Sequence, residues 1–211
     1  MNEREWLEGT SARSMLDYLE VFHNVARTKR GRRKLRLLAC AVFRRCYLPV
    51  TTDKWGPALD LAERYAEGLA DRAEVVSFRE RFPREHWLDR TVDFLLAESP
   101  QRATTNQAFG RYGVWREDDP TAEFVRELFG NPFRRSVLDP VWRSSTVVAL
   151  AQAAYDERSL TTGQFDPSRL GILADALEDA GCDNADILNH CRGPGPHVRG
   201  CWVLDLLLGK G

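Results

Sequence analysis

The chain is first defined by what it lacks. No apolar run approaches the ~20 residues that a membrane-crossing helix needs, so no segment reads as a span. The opening stretch, MNEREWLEG, is acidic and polar, with none of the basic-then-apolar order of a secretory leader; the expected compartment is the cytoplasm. Closely spaced cysteine pairs, the mark of zinc knuckles and redox loops, are absent. The five cysteines are odd in number, which argues against a complete disulfide framework and predicts reduced thiols. Neither sign of charge dominates: the net charge is -1, so no whole-protein field selects nucleic acid. No alternating apolar segments are joined by a hairpin turn, and no exact internal repeat is found.

What is present is ordinary globular material. Hydrophobic residues make up 43% and charged residues 29% of 211, enough to bury a core without staples. Nearly every periodic segment has helical spacing, so the expected fold is all-α, an irregular multi-helix bundle or short helical array of roughly eight to ten helices. Thr10 or Ser11 opens a helix with a Met15, Leu19, Phe22, Ala26 stripe, and Gly31 is expected to interrupt the chain after it. The next helix places Leu35, Leu38, Ala39, Val42 and Cys46 on one face and Arg33, Arg36, Arg44 and Cys40 on the other. Trp55, Leu59, Ala62, Ala66 and Leu69 mark a further stripe, with Pro57 near its start. The stretch PREHWLDRTVDFLLAES is also expected to be helical.

Residues 99–119 break the pattern; they divide an N-terminal part (1–98) from a C-terminal part (120–211), or join the two as one continuous domain. Beyond them the punctuation is clear. Asp119 with Pro120, Ser144 or Ser145, and Asp166 with Pro167 open helices; Gly130 and Gly181 close them. Asp183 and Asp186 have capping-box spacing. Pro196 is expected to begin the last helix, in which Val198, Trp202, Val203, Leu204, Leu206, Leu207 and Leu208 surround the axis.

The segments KLRLLACAVFRRC, ALDLAERYAEGLA, FGNPFRRSVLDPVW, TVVALAQAAYDER and ILADALEDAGCDNADILNHCRGPGPHVRGCWVLDLLLGK resemble a large paralogous family abundant in planctomycete bacteria. The likeness covers roughly 3–69 and 124–210. LADALEDAG also resembles the core of a short domain that accompanies repeats in the same bacteria. The resemblance implies a bacterial, cytoplasmic protein; it carries no activity, cofactor or catalytic residue with it. Where the family often has a cysteine cluster after the position of Cys40, this chain has Val42 and Phe43, so a metal site built on that cluster is incomplete here.

The stretch HCRGPGPHVRGCW (190–202) concentrates the chemistry. Cys182, His190, Cys191, His197 and Cys201 are the candidate metal ligands, with zinc as the implied ion. A helix from Pro196 puts His197 and Cys201 one turn apart on one face, with Asp205 beyond. The bland alternative makes the cysteines small buried hydrophobes and His197 a helix-start residue. The GPGP loop before a helix N-terminus also has the makings of an anion site, with Arg192, His197 and Arg199 as donors. It is no dinucleotide fingerprint: no strand precedes it, and its prolines lack the N–H groups that phosphates need. As a plain connector it simply turns the chain between buried helices.

His197, Cys201 and Asp205 have the residue types of a Cys–His nucleophile pair with an orienting carboxylate, but in leucine-rich surroundings. Cys40 among arginines is the other thiol whose ionisation the sequence would favour. The run Arg27–Arg45 holds nine basic residues and no acid. Its Arg30, Arg32, Arg33 and Arg36 are candidate phosphate contacts, although no aromatic alternates with them as a stacking platform would require. His23 and His86 read as boundary residues. With no catalytic motif present, the leading expectation is a non-enzymatic module that binds a protein partner. Anion or metal binding at the GPGPH loop comes next, then nucleic-acid binding by the basic segment.

Overall fold

The computed structural model describes residues 1–47, 52–82, 92–93, 95–97, 121–134, 136–159 and 161–210. The described residues form ten α-helices and no strand. They are α1 (Glu3–Glu8), α2 (Ala12–His23), α3 (Lys29–Tyr47), α4 (Thr52–Ala66), α5 (Arg72–Arg81), α6 (Thr121–Phe129), α7 (Ser145–Asp156), α8 (Pro167–Asp179), α9 (Ala185–Arg192) and α10 (Trp202–Leu208). One-turn 3-10 helices lie at Val25–Arg27 and Pro140–Trp142. The fold is all-α, as the stripes predict. The irregular connector, most of the PREHWLDRTVDFLLAES stretch, the Asp119–Pro120 start and His86 lie outside the described residues.

Caps explain most boundaries. The side chains of Ser11, Ser144 and Asp166 accept backbone N–H groups at the starts of α2, α7 and α8, and Pro167 fills the first helical position. α9 is capped by Asn184, which accepts from Asp186 and Ile187, rather than by an Asp183–Asp186 box. Gly31 does not interrupt the chain. It lies in the first turn of α3, where its N–H donates to Thr28 Oγ1 at 2.9 Å. A Cβ there would stand 1.9 Å from the Val25 carbonyl oxygen, so the approach requires glycine.

Two apolar cores result. The first gathers Trp6, Met15, Leu19, Leu35, Phe43 and Trp55 from the N-terminal helices, together with Phe124, Val125 and Leu128 of α6. The second gathers Val147, Tyr155, Leu173, Ile187, Leu204 and Leu207 from α7 to α10. α6 therefore packs with the N-terminal helices, and Val198, from far along the chain, joins the same first core. Trp6 ties the start of the chain to the end of α6 by donating Nε1–H to the Gly130 carbonyl at 3.0 Å.

The arginine face of α3 is salt-bridged rather than solvated. From Lys34 to Arg44 every residue is buried, while Cys46, expected inside, is exposed. The cations on that face are paired inside the protein. Arg33 donates to both oxygens of Asp205 at 2.6 and 2.9 Å, to Glu67 at 2.8 Å and to the Tyr155 hydroxyl at 3.0 Å. Lys34 bonds the Leu128 carbonyl and lies 3.1 Å from Asp205. Arg44 meets Glu63 at 3.0 Å, and Arg158 and Arg199 approach the same carboxylate. Lys210 closes on Glu67 at 2.8 Å. These groups form a charged seam between the cores. Leaving such charges unpaired in a low-dielectric seam would cost several kcal/mol each, so the acids of α4 and α10 fix how the halves meet.

Candidate metal centre

The segment after α9 does not continue as a helix from Pro196. Residues 193–201 form a folded strap whose Val198 pairs with Gln164 in an isolated bridge, and α10 starts only at Trp202. Glycine makes the strap feasible. Gly195 has φ 88°, and a Cβ on it would stand 2.8 Å from the His197 backbone nitrogen. The strap turns the His197 ring inward. Its Val198 N–H donates to Glu127 Oε1 at 3.1 Å, which docks the strap on α6.

Four ligand-type side chains converge there: Glu127 from α6, His190 from α9, His197 from the strap and Cys201 just before α10. One ligand atom from each lies within 4.8 Å of all the others. Glu127 Oε2 is 3.2 Å from His190 Nε2 and 3.4 Å from His197 Nδ1; His190 Nε2 is 3.2 Å from Cys201 Sγ. Glu127, His197 and Cys201 are buried, and His190 has a side chain 16% exposed. A tetrahedral ion with bonds of about 2.0–2.3 Å separates its ligands by roughly 3.3–3.7 Å. The three short spacings are close to the edges of such a tetrahedron.

Hydrogen bonds assign the ring protons. His197 Nε2 lies 3.1 Å from the Gly193 carbonyl oxygen, which can only accept, so Nε2 carries a proton. Nδ1 of the same ring is buried and faces the cluster, with Glu127 Oε2 at 3.4 Å, too poorly aligned for a regular hydrogen bond. A backbone carbonyl behind one ring nitrogen, with the other nitrogen turned to the ligand atoms, is how proteins hold a metal-binding imidazole. His190 is held differently. The Trp202 indole Nε1–H, a donor only, points at its Nδ1 from 3.1 Å. Nδ1 therefore accepts, and Nε2 carries the proton toward Glu127 and Cys201.

The electrostatics are set by one buried carboxylate. Burial works against the Glu127 charge, but His190 and His197 more than offset it and hold its pKa below the ordinary carboxylate range. Burial likewise opposes a charged His197, and Glu127 outweighs it, raising that pKa. Burial and then the Glu127 charge push the Cys201 thiol well up and Cys191 up to about 12. Both effects favour the neutral thiol of Cys201, which counts against the Cys–His nucleophile reading. Asp205 is not at this site; it belongs to Arg33 and Lys34 in the seam.

The sequence-predicted sets fare unequally. Of the metal candidates, His190, His197 and Cys201 come together; Cys182 and Cys191, buried in the second core as Cys201 is, do not join them. The anion set does not assemble: Arg192 is held by Asp175 and Glu178, Arg199 lies toward Glu63 and Tyr155, and His197 faces Glu127. In the basic segment, Arg33 and Arg36 turn inward. Arg36 donates to the Leu95 and Ala97 carbonyls over the Tyr65 ring, while Arg30 stays exposed and Arg32 bonds the Arg27 carbonyl. Cys40 is fully buried, and burial with the Glu63 charge raises its pKa despite the nearby arginines. Glu127 was missed because a single glutamate in an amphipathic helix reads as a solvated residue. Comparison with protein-family models, curated proteins and solved structures returns no match.

Proposed function

We propose that the protein binds one divalent transition-metal ion of the zinc class, through Glu127 Oε2, His190 Nε2, His197 Nδ1 and Cys201 Sγ. The observation that carries this reading is the buried Nδ1 of His197, whose ring is fixed from behind by Gly193 and which lies within 4.8 Å of a ligand atom of Glu127, of His190 and of Cys201. A mixed set of one thiolate, two imidazoles and one carboxylate in tetrahedral spacing suits zinc better than calcium or magnesium. The site has four protein ligands and so is structural, not catalytic. The ion neutralises Glu127 and the Cys201 thiolate, and it cross-links α6 to the strap and to α9. Ligation by His190 Nε2 moves that ring's proton to Nδ1, so the Trp202 indole N–H must turn aside.

Elemental analysis of protein purified without chelator tests the reading. It should find about one zinc per chain, lost in His197→Ala and Cys201→Ser. Metal-free protein that also fails to develop a cobalt–thiolate absorption band on adding Co(II) would overturn it. The protein-partner reading stands second, on one observation: neighbouring Val21 and Phe22 of α2 are 69% and 66% exposed. A partner captured equally well by the chain carrying Val21→Ser and Phe22→Ser would remove that support.

A further inference from the structure

A cavity of about 610 Å³ lies between α2, the start of α3, the end of α6 and α10. Its walls are sorted by chemistry. Leu19, Phe129, Trp202 and Leu206 give it an apolar body. Arg30, Lys34, Arg134 and His23 border it, and among the described residues no aspartate or glutamate does. Two of these cations are answered from outside the cavity. Lys34 is held by Asp205 at 3.1 Å, and Arg134 by Glu3. Arg30 makes no ion pair among the described residues and is exposed. It sits in the first turn of the 19-residue α3, where the helix dipole adds positive potential.

We propose that this cavity binds a small organic monocarboxylate with an apolar body, its carboxylate on Arg30 and its apolar part against Phe129, Trp202 and Leu206. The exposed Arg30 guanidinium, which makes no ion pair among the described residues, selects an anion, and its planar fork matches a carboxylate bidentately. The apolar walls select a ligand with hydrocarbon to bury, and the volume falls within the roughly 300–1,000 Å³ range of small-molecule sites. None of the four cluster residues lines this cavity, although Trp202, whose indole N–H meets His190, does.

Calorimetric titration of the full chain with 4-phenylbutyrate, 4-phenylbutanol and acetate tests it. The butyrate should bind saturably at one site. The alcohol lacks the charge and acetate lacks the apolar body, so each should bind about tenfold more weakly or not at all. Arg30→Gln, at an exposed position that leaves the fold intact, should weaken the butyrate about tenfold and leave the alcohol unchanged. Absent butyrate binding, equal binding of butyrate and alcohol, or an Arg30→Gln protein that binds as the parent does would each overturn the proposal.

Discussion

Replacing Glu127 by Gln removes the charge at the centre of the cluster and keeps its shape. The amide oxygen can still accept from Val198, but the amide nitrogen then faces His190 Nε2–H, donor against donor. The stranded buried group costs about 1–3 kcal/mol in the metal-free protein. A carboxylate ligand is also lost, so zinc affinity should fall about a hundredfold or more. At free zinc of about a hundred times the parent Kd, the parent gains about 2.7 kcal/mol, and a protein binding a hundredfold more weakly gains about 0.4 kcal/mol. For a chain of this size one kcal/mol moves Tm by about 2–4 °C. Zinc should therefore raise the parent Tm by roughly 5–11 °C and the variant by about 1 °C. Helical circular dichroism followed through thermal unfolding, in zinc buffer and in chelator, reads both numbers. An equal zinc shift in parent and variant would refute the placement of Glu127 among the ligands.

Three further outcomes are expected. Asp205→Ala strands Arg33 and Lys34 in the seam and should cost about 3–5 kcal/mol by denaturant unfolding; a loss below 1 kcal/mol would show the seam to be well hydrated. Burial opposes the Glu67 charge, but Arg33, Lys210 and Tyr155 outweigh it and hold its pKa below the ordinary value. Its contribution is then present above the unfolded carboxylate pKa and lost as pH falls through the folded one. The stability gap between the parent and Glu67→Gln should accordingly be full at neutral pH and close in acid; a gap constant with pH would contradict the pairing. Gly195→Ala places a Cβ at positive φ against His197 and should cost about 2 kcal/mol, with weaker zinc binding in a competition titration; unchanged zinc affinity would mean that the strap does not set the His197 ring.

Helix existence was legible where local rules acted alone. Ser11, Ser144 and the Asp166–Pro167 pair start helices by satisfying their own neighbours' N–H groups, and that needs no tertiary partner. The errors lie where tertiary partners decide. Arg33, Arg36 and Arg44 follow the spacing of an outer face, solvated or salt-bridged, and only acids and carbonyls distant in sequence decide that they turn inward. His197 and Cys201 were rightly paired but for the wrong reason, since a strap and not a helical turn brings them together. Glu127 lies 63 residues before His190, and no local pattern connects the two.

The charged seam also governs how the molecule can come apart. Arg33 and Lys34 belong to α3, while Asp205 and Lys210 belong to the end of the chain, so neither core can open without exposing the other's counter-charges to separation. The halves should then lack independent melting. Amide hydrogens of α3 and α10 should exchange with solvent only through one shared opening event, at a common free energy, despite lying in different apolar clusters.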